Sequence, residues 1–129
     1  MAVAFLADSS ALWRIEREPS VGALWSDSID TGEVGSCAGQ RSEFMRSAQS
    51  PRHYDQMALM FSGLYPDVPH PKGMWRWIEG LQNRLVTVSA HRALSVVDLM
   101  ICATASYHRL TVVHDDNDFA TAAQHAVDL

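Results

Sequence analysis

The chain has 129 residues and a formal charge of −5, with 15 Asp and Glu against 10 Lys and Arg, 47% hydrophobic residues and two cysteines. This length suits one ordinary domain burying about two-thirds of its unfolded surface, and the composition excludes disordered and collagen-like chains. Cys37 and Cys102 are too few for a disulfide framework and lack zinc-ligand spacing. No apolar run approaches the ~20 residues of a membrane span, so a cytoplasmic protein with no membrane association is expected.

Val3 to Ala7 is a short apolar run without polar alternation, as expected of a strand covered on both faces of a parallel sheet. Asp8, Ser9 and Ser10 end it, and a serine there can cap a helix over Ala11 to Arg17, which Glu18-Pro19 interrupts. Val21 to Ser28 reads as a second helical piece, Asp30-Thr31-Gly32 as a turn, and Val34 to Cys37 as a weak strand. Helices are expected over Gln40 to Ser47 and Tyr54 to Phe61, with Pro51 opening the second. The three prolines between Gly63 and Pro71 require a loop or an edge strand.

Met74, Trp77, Ile78, Leu81 and Leu85 form a helical stripe. Ser95 to His108 is apolar nearly all round, which predicts a buried helix. Leu110 to Val113 is the most strand-like stretch after the first, and Asp118 is positioned to cap a last helix running to about His125. There is no internal repeat and no linker. Strands alternating with helices predict one α/β domain over residues 1–129, with a mostly parallel central sheet flanked by helices.

The acids fall at telling places. Asp8 lies at the carboxyl end of the first strand and Asp115 and Asp116 at that of the last, where open parallel sheets form their sites. Asp98 sits in the greasy helix, where a lone carboxylate is costly unless paired or metal-bound. Glu43 lies on a short helix able to face the same crevice. Each acid also has a plain structural role open to it. Asp8 can be an N-cap, Ser95-Val-Val-Asp98 matches a capping box, Glu43 can be solvated, and Asp115 to Asp118 suit a turn and a cap. Those roles do not explain why two strand ends and a helix all offer carboxylates. Convergent carboxylates raise one another's pKa unless a cation is present, and oxygen-only ligands suit Mg²⁺ or Mn²⁺. Four such acids would account for four of the five net negative charges, so the acidic balance does not exclude a nucleic-acid substrate.

Asp8-Ser9-Ser10-Ala11-Leu12 resembles the opening Asp-x-Ser/Thr motif of PIN-domain nucleases. Ser42-Glu43-Phe44 resembles their helical Glu, Val97-Asp98 through Ala105 their Asp helix, and His114-Asp-Asp116-Asn-Asp118-Phe119 their closing motif. In order, spacing and length the set is similar to the VapC-type toxins of toxin–antitoxin pairs. The resemblance implies a PIN-like fold and a divalent-metal-dependent endoribonuclease that cleaves RNA phosphodiesters by metal-activated water, with Mg²⁺ or Mn²⁺ as cofactor. It implies catalytic Asp8, Glu43, Asp98 and Asp116, with Asp8, Asp98 and Asp116 holding metal and Ser10 and Asp118 in support. The implied partners are a VapB-like antitoxin, an RNA substrate of the tRNA or rRNA class, and a second copy in a homodimer or a toxin–antitoxin hetero-oligomer. Cys102 departs from the family's small residue, and relatives commonly continue past the position of Leu129 into one more strand.

Arg14, Arg41 and Arg46 flank the acids and are candidates for RNA phosphates, whereas Arg17 fits a solvated helix face better. Trp77 is expected in the core, and Trp13 or Trp25 on a partner surface supplied by residues 11–24 and 40–61. His108 and His114 make no zinc motif, and no phosphate-cradling glycine loop exists. A haloacid-dehalogenase-type phosphotransferase ranks low, because Ser10 stands where its second acid belongs. The remaining alternative is a catalytically silent PIN-like module that binds RNA or a partner.

Overall fold

The computed structural model describes residues 2–114 and 117–125. They form, in order, β1 (Phe5–Ala7), α1 (Ser9–Arg17), α2 (Pro19–Asp30), β2 (Val34–Gly35), α3 (Ala38–Met45), α4 (Pro51–Leu64), α5 (Met74–Val86), α6 (Val96–His108), β3 (Thr111–Val113) and α7 (Asn117–His125). The strands lie in the order β2-β1-β3, and both pairings are parallel. Phe5 pairs with Val34 on one side and with Thr111 on the other. The expected α/β architecture with a parallel sheet is the one observed. None of the described helices is long and apolar enough to cross a membrane.

Both faces of the sheet are covered, which explains the unbroken apolar run of the first strand. Leu6 is fully buried in a core formed with Ile78, Leu81 and Leu85 of α5, Leu99, Ile101 and Cys102 of α6, and Phe119 of α7. Its neighbour Ala7 points the other way, into a core of Leu12 and Ile15 of α1, Phe44 of α3, and Met57 and Phe61 of α4. The two-residue side-chain period of a strand thus divides the core into two. Val112 and Val113 repeat the division on β3, packing on the first and second core respectively.

Several boundaries differ from the sequence expectation, and local chemistry accounts for them. α1 begins at Ser9, two residues early, because Asp8 is its N-cap: the carboxylate accepts from the Ala11 N–H at 2.8 Å. Pro19 occupies the first turn of α2, where a missing N–H costs nothing, so that helix extends back to its proline, whereas Pro51 opens α4 as expected. Ser50 caps α4 by accepting from the His53 N–H at 3.0 Å. α7 begins at Asn117, which places Asp118 within the first turn rather than at the cap. β2 is only two residues long; Ser36 then forms an isolated parallel bridge to Asp67 in the proline-rich loop. The loop reading of residues 63–71 holds from Tyr65 on, with that one bridge, while Gly63 and Leu64 belong to the last turn of α4.

The α6 helix is buried through its middle, from Ile101 to Ala105, but Val96 and Tyr107 near its ends are exposed. It closes on Arg109 in the left-handed conformation, φ 58° and ψ 46°. Trp77 packs against the first core as expected. Trp13 and Trp25 are largely spent inside the molecule: Trp13 stacks on Phe44 at 4.2 Å with Arg17 over its face at 4.1 Å, and Trp25 meets Phe5 edge-on at 5.1 Å.

The bend of β2 into the loop depends on a missing side chain. A Cβ on buried Gly35 would lie 2.6 Å from Val68 Cγ2, 2.8 Å from Val3 Cγ1 and 3.2 Å from the Pro66 carbonyl oxygen. Gly35→Ala is therefore expected to lower the unfolding free energy by about 1–3 kcal/mol through overpacking, read as a drop in urea midpoint at unchanged m-value.

Candidate active site

In the order β2-β1-β3 the chain leaves β1 toward one neighbour and returns from β2 to the other, so a crevice opens beyond the carboxyl ends of the strands. Asp8 stands at that opening. Its N–H donates to the Val113 carbonyl at 3.0 Å, which binds the end of β1 to the end of β3. Its carboxylate is only 4% exposed and has two donors, the Ala11 N–H and the Ser10 hydroxyl, the latter at 2.9 Å from both oxygens. Burial raises the Asp8 pKa above the ordinary carboxylate value, the two hydrogen bonds pull it back, the nearby charge of Asp98 raises it further, and His114 lowers it.

Glu43 reaches the same corner through its partner. The Ser9 hydroxyl donates to Glu43 Oε1 at 2.7 Å, tying α3 to the residue that follows Asp8. Asp98 lies in the first turn of α6 and is half-buried rather than buried, a correction to the greasy-helix expectation. It completes a capping box: its backbone N–H donates to Ser95 Oγ at 3.1 Å, and its carboxylate accepts from the Ser95 N–H at 3.2 Å. The plain roles considered for Asp8 and Asp98 are both real, and neither removes the acid from the crevice. Cys102 lies within reach of the same charges. Its buried thiol is pushed up to about 12, mainly by desolvation and then by the charges of Asp98 and Asp8.

Asp115 and Asp116 lie outside the described residues, as does the side chain of Asp118. They follow His114, whose ring stacks on Phe119 at 5.0 Å beside β3. Among the described residues no three His, Cys, Asp or Glu side chains are grouped as a metal site. The donor chemistry nevertheless fits a hard divalent cation, because the groups at the crevice are carboxylates and hydroxyls, and burial leaves Asp8 in need of a compensating positive charge.

The arginine candidates separate. Arg14 pairs with Glu18 at 2.6 Å on the exposed side of α1. Arg41 is held by Asp67 at 2.9 Å and by Ser36 Oγ at 2.9 Å. Arg46 is exposed at the C-cap of α3 and has no ion-pair partner among the described residues.

Two polar supports were not foreseen. Gln40 is buried; its amide donates to the Ala7 carbonyl and its oxygen accepts from the Cys37 N–H at 3.2 Å. It braces the peptide just ahead of Asp8, and its place three residues after the helix N-cap was the available signal. His70 Nε2 accepts from the Gly39 N–H at 3.0 Å, which leaves Nδ1 to donate to Thr104 Oγ1 at 2.6 Å. Thr104 in turn donates to the Met100 carbonyl at 2.8 Å. The imidazole thereby joins the proline loop, α3 and α6, and desolvation lowers its pKa, favouring the neutral form that this pattern needs.

Comparison with known proteins decides the family. The model of the PIN domain matches residues 6–124. The chain belongs to the PIN domain family. Within it, this PIN domain is 53% identical over 96 residues to Ribonuclease VapC6 of Mycobacterium tuberculosis, spanning 74% of this chain and 76% of the relative. It is 29% identical over 121 residues to Ribonuclease VapC18 of the same organism, spanning 92% of this chain and 87% of the relative. Its fold matches a chain of DNA-bound VapBC from Salmonella typhimurium with a TM-score of 0.74, over 98% of this chain and 95% of that one, at 14% identity.

A buried, ionised Asp8 costs this PIN domain stability. Because the folded pKa lies above the unfolded 3.8, this penalty is absent below 3.8, where both states bind the proton, and is fully felt once pH rises past the folded value. Asp8→Asn keeps an oxygen for the Ala11 N–H and removes the charge. In EDTA at pH 7 it should therefore melt at a higher temperature than wild type, the gap narrowing as pH falls toward 4. A variant that melts lower at pH 7 contradicts the electrostatic account.

Proposed function

We propose that this chain is the toxin of a toxin–antitoxin pair and acts as a divalent-metal-dependent endoribonuclease. The observation that carries the reading is the buried Asp8 carboxylate, with Glu43 tied to its neighbouring serine and Asp98 near enough to raise its pKa. Kinship with proteins named as VapC ribonucleases gives the reaction class. Residues 1–129 are taken as one PIN domain, with Asp8, Glu43, Asp98 and Asp116 as the acids.

Asp8, Asp98 and Asp116 would hold Mg²⁺ or Mn²⁺, and a bound cation supplies charge neutralisation and Lewis acidity for phosphodiester hydrolysis. Asp8 is prepared for this by position: the Ala11 N–H and Ser10 hydroxyl fix its oxygens, and Gln40 fixes the preceding peptide. Ser9 orients Glu43 toward the crevice, where a carboxylate can accept a proton. The capping box holds Asp98 against rotation, since Ser95 engages both its backbone and its carboxylate. Asp118 supports the site from the first turn of α7.

An antitoxin needs an apolar landing surface. Leu24 on α2 and Leu59 on α4 are 79% and 71% exposed, within the two segments expected to form it. The VapBC and FitAcB names of the structural neighbours suit a VapB-like antitoxin as partner. A cytoplasmic location, an RNA of the tRNA or rRNA class and paired copies complete the reading.

Asp98→Asn should cut RNA cleavage by more than about 100-fold, beyond the loss typical of an outer-shell partner, with an unchanged circular dichroism spectrum. EDTA should stop wild-type cleavage, and added Mg²⁺ or Mn²⁺ should restore it. Purified protein that retains RNA without cutting it at any metal concentration would make the chain a silent PIN-like binding module instead.

A further inference from the structure

A cleft of about 530 Å³ lies between α3 and α6, within the roughly 300–1,000 Å³ of small-ligand sites. Ala38, Gly39, Ser42, Glu43 and Arg46 give it one helical face, and Val97 and Met100 give it the other. Glu43 lines it directly, and on the other wall Val97 is the sequence neighbour of Asp98.

Its chemistry is uneven in an informative way. His70 forms part of the wall, but both ring nitrogens are committed, one to Gly39 and one to Thr104, so it offers mainly its carbon edge. Gly39 keeps the floor low. A Cβ there would lie 3.0 Å from Met100 Cε and 3.3 Å from its sulfur. The polar groups left in the cleft are the Ser42 hydroxyl, the Glu43 carboxylate and the Arg46 guanidinium. Arg46 is the candidate arginine not already engaged by an acid among the described residues, since Arg14 is held by Glu18 and Arg41 by Asp67.

One cation, one hydroxyl and a flat apolar floor beside an acidic centre match a nucleotide. A guanidinium suits a phosphate, a hydroxyl suits a ribose, and a thioether suits the face of a base. An acidic peptide would bring a charge for Arg46 but no planar base for the Val97 and Met100 wall, and a purely apolar segment would bury Arg46 and Ser42 unpaired. We propose that this cleft is a nucleotide subsite for single-stranded RNA, in which Arg46 holds the backbone phosphate flanking the scissile bond while the adjoining base lies on Val97 and Met100. The assignment rests on the ribonuclease reading for its choice of ligand and makes Arg46 a binding and positioning residue.

The test is binding of a fluorescein-labelled single-stranded oligoribonucleotide in EDTA, followed by anisotropy across a salt series. Arg46→Gln should weaken binding about tenfold and reduce the slope of log affinity against log salt by about 0.7, the value for one phosphate on a single strand. Arg92→Gln removes an exposed arginine outside the cleft and should change neither quantity. Met100→Ala should weaken binding while leaving the salt slope intact. Wild-type affinity and slope in Arg46→Gln overturn the subsite, as does wild-type protein that does not bind the oligonucleotide. If Arg46→Gln spares RNA binding but weakens the antitoxin complex, the cleft belongs to the antitoxin and the proposal is wrong. RNA binding that follows this pattern in a protein that never cuts would instead remove the proposed function and leave the subsite standing.

Discussion

A carboxylate buried at the end of the middle strand is the constraint on which the other arrangements depend. Taking Asp8 out of water is unfavourable, and two hydrogen bonds offset only part of the cost, as its raised pKa records. The residue cannot drift toward solvent, because its backbone is shared between structures. Its N–H belongs to the bond with Val113 and its carbonyl to the first turn of α1. The side chain is thus placed at a helix start by the backbone, where it serves as the N-cap of α1, and is held there against its own solvation.

The surroundings are organised around that point by polar struts of unusual economy. Gln40 and His70 each use both polar ends of one side chain, Gln40 to join α3 to β1 and His70 to join three segments. Gln40 reaches from α3 to the strand bearing Asp8, and His70 reaches from the proline loop to α3 and α6. Since Glu43 and Asp98 ride on α3 and α6, the separation of the acid-bearing helices is set by directional bonds as well as by apolar packing, which has no direction of its own.

Much of this architecture was legible from residue order. An apolar run without alternation marked β1, because both faces of the sheet are covered there, and β3 read as the most strand-like stretch after it. The stripe of Met74 to Leu85 marked α5, and Asp8 marked the carboxyl end of β1. What stayed hidden was decided by tertiary contacts. Local pattern cannot say that Arg41 will find Asp67 twenty-six positions away, that Trp13 will stack on Phe44, or that the start of α6 will stay partly open to water. Serine, aspartate and proline near helix starts were ambiguous for a different reason. Several neighbouring residues could each begin the helix, and the winner was the one whose side chain had a second task.

The left-handed residue at Arg109 has a mechanical meaning. Only it and Leu110 separate α6 from β3, and α6 is a rigid rod of about 20 Å at 1.5 Å per residue. Rod and strand therefore form a short hairpin turning at exposed Arg109, and Asp98 and His114, toward its other end, both lie near Asp8. A small angular error at such a pivot becomes a large displacement at the tips. The spacing of the charged groups is thus calibrated from a surface turn that never approaches them.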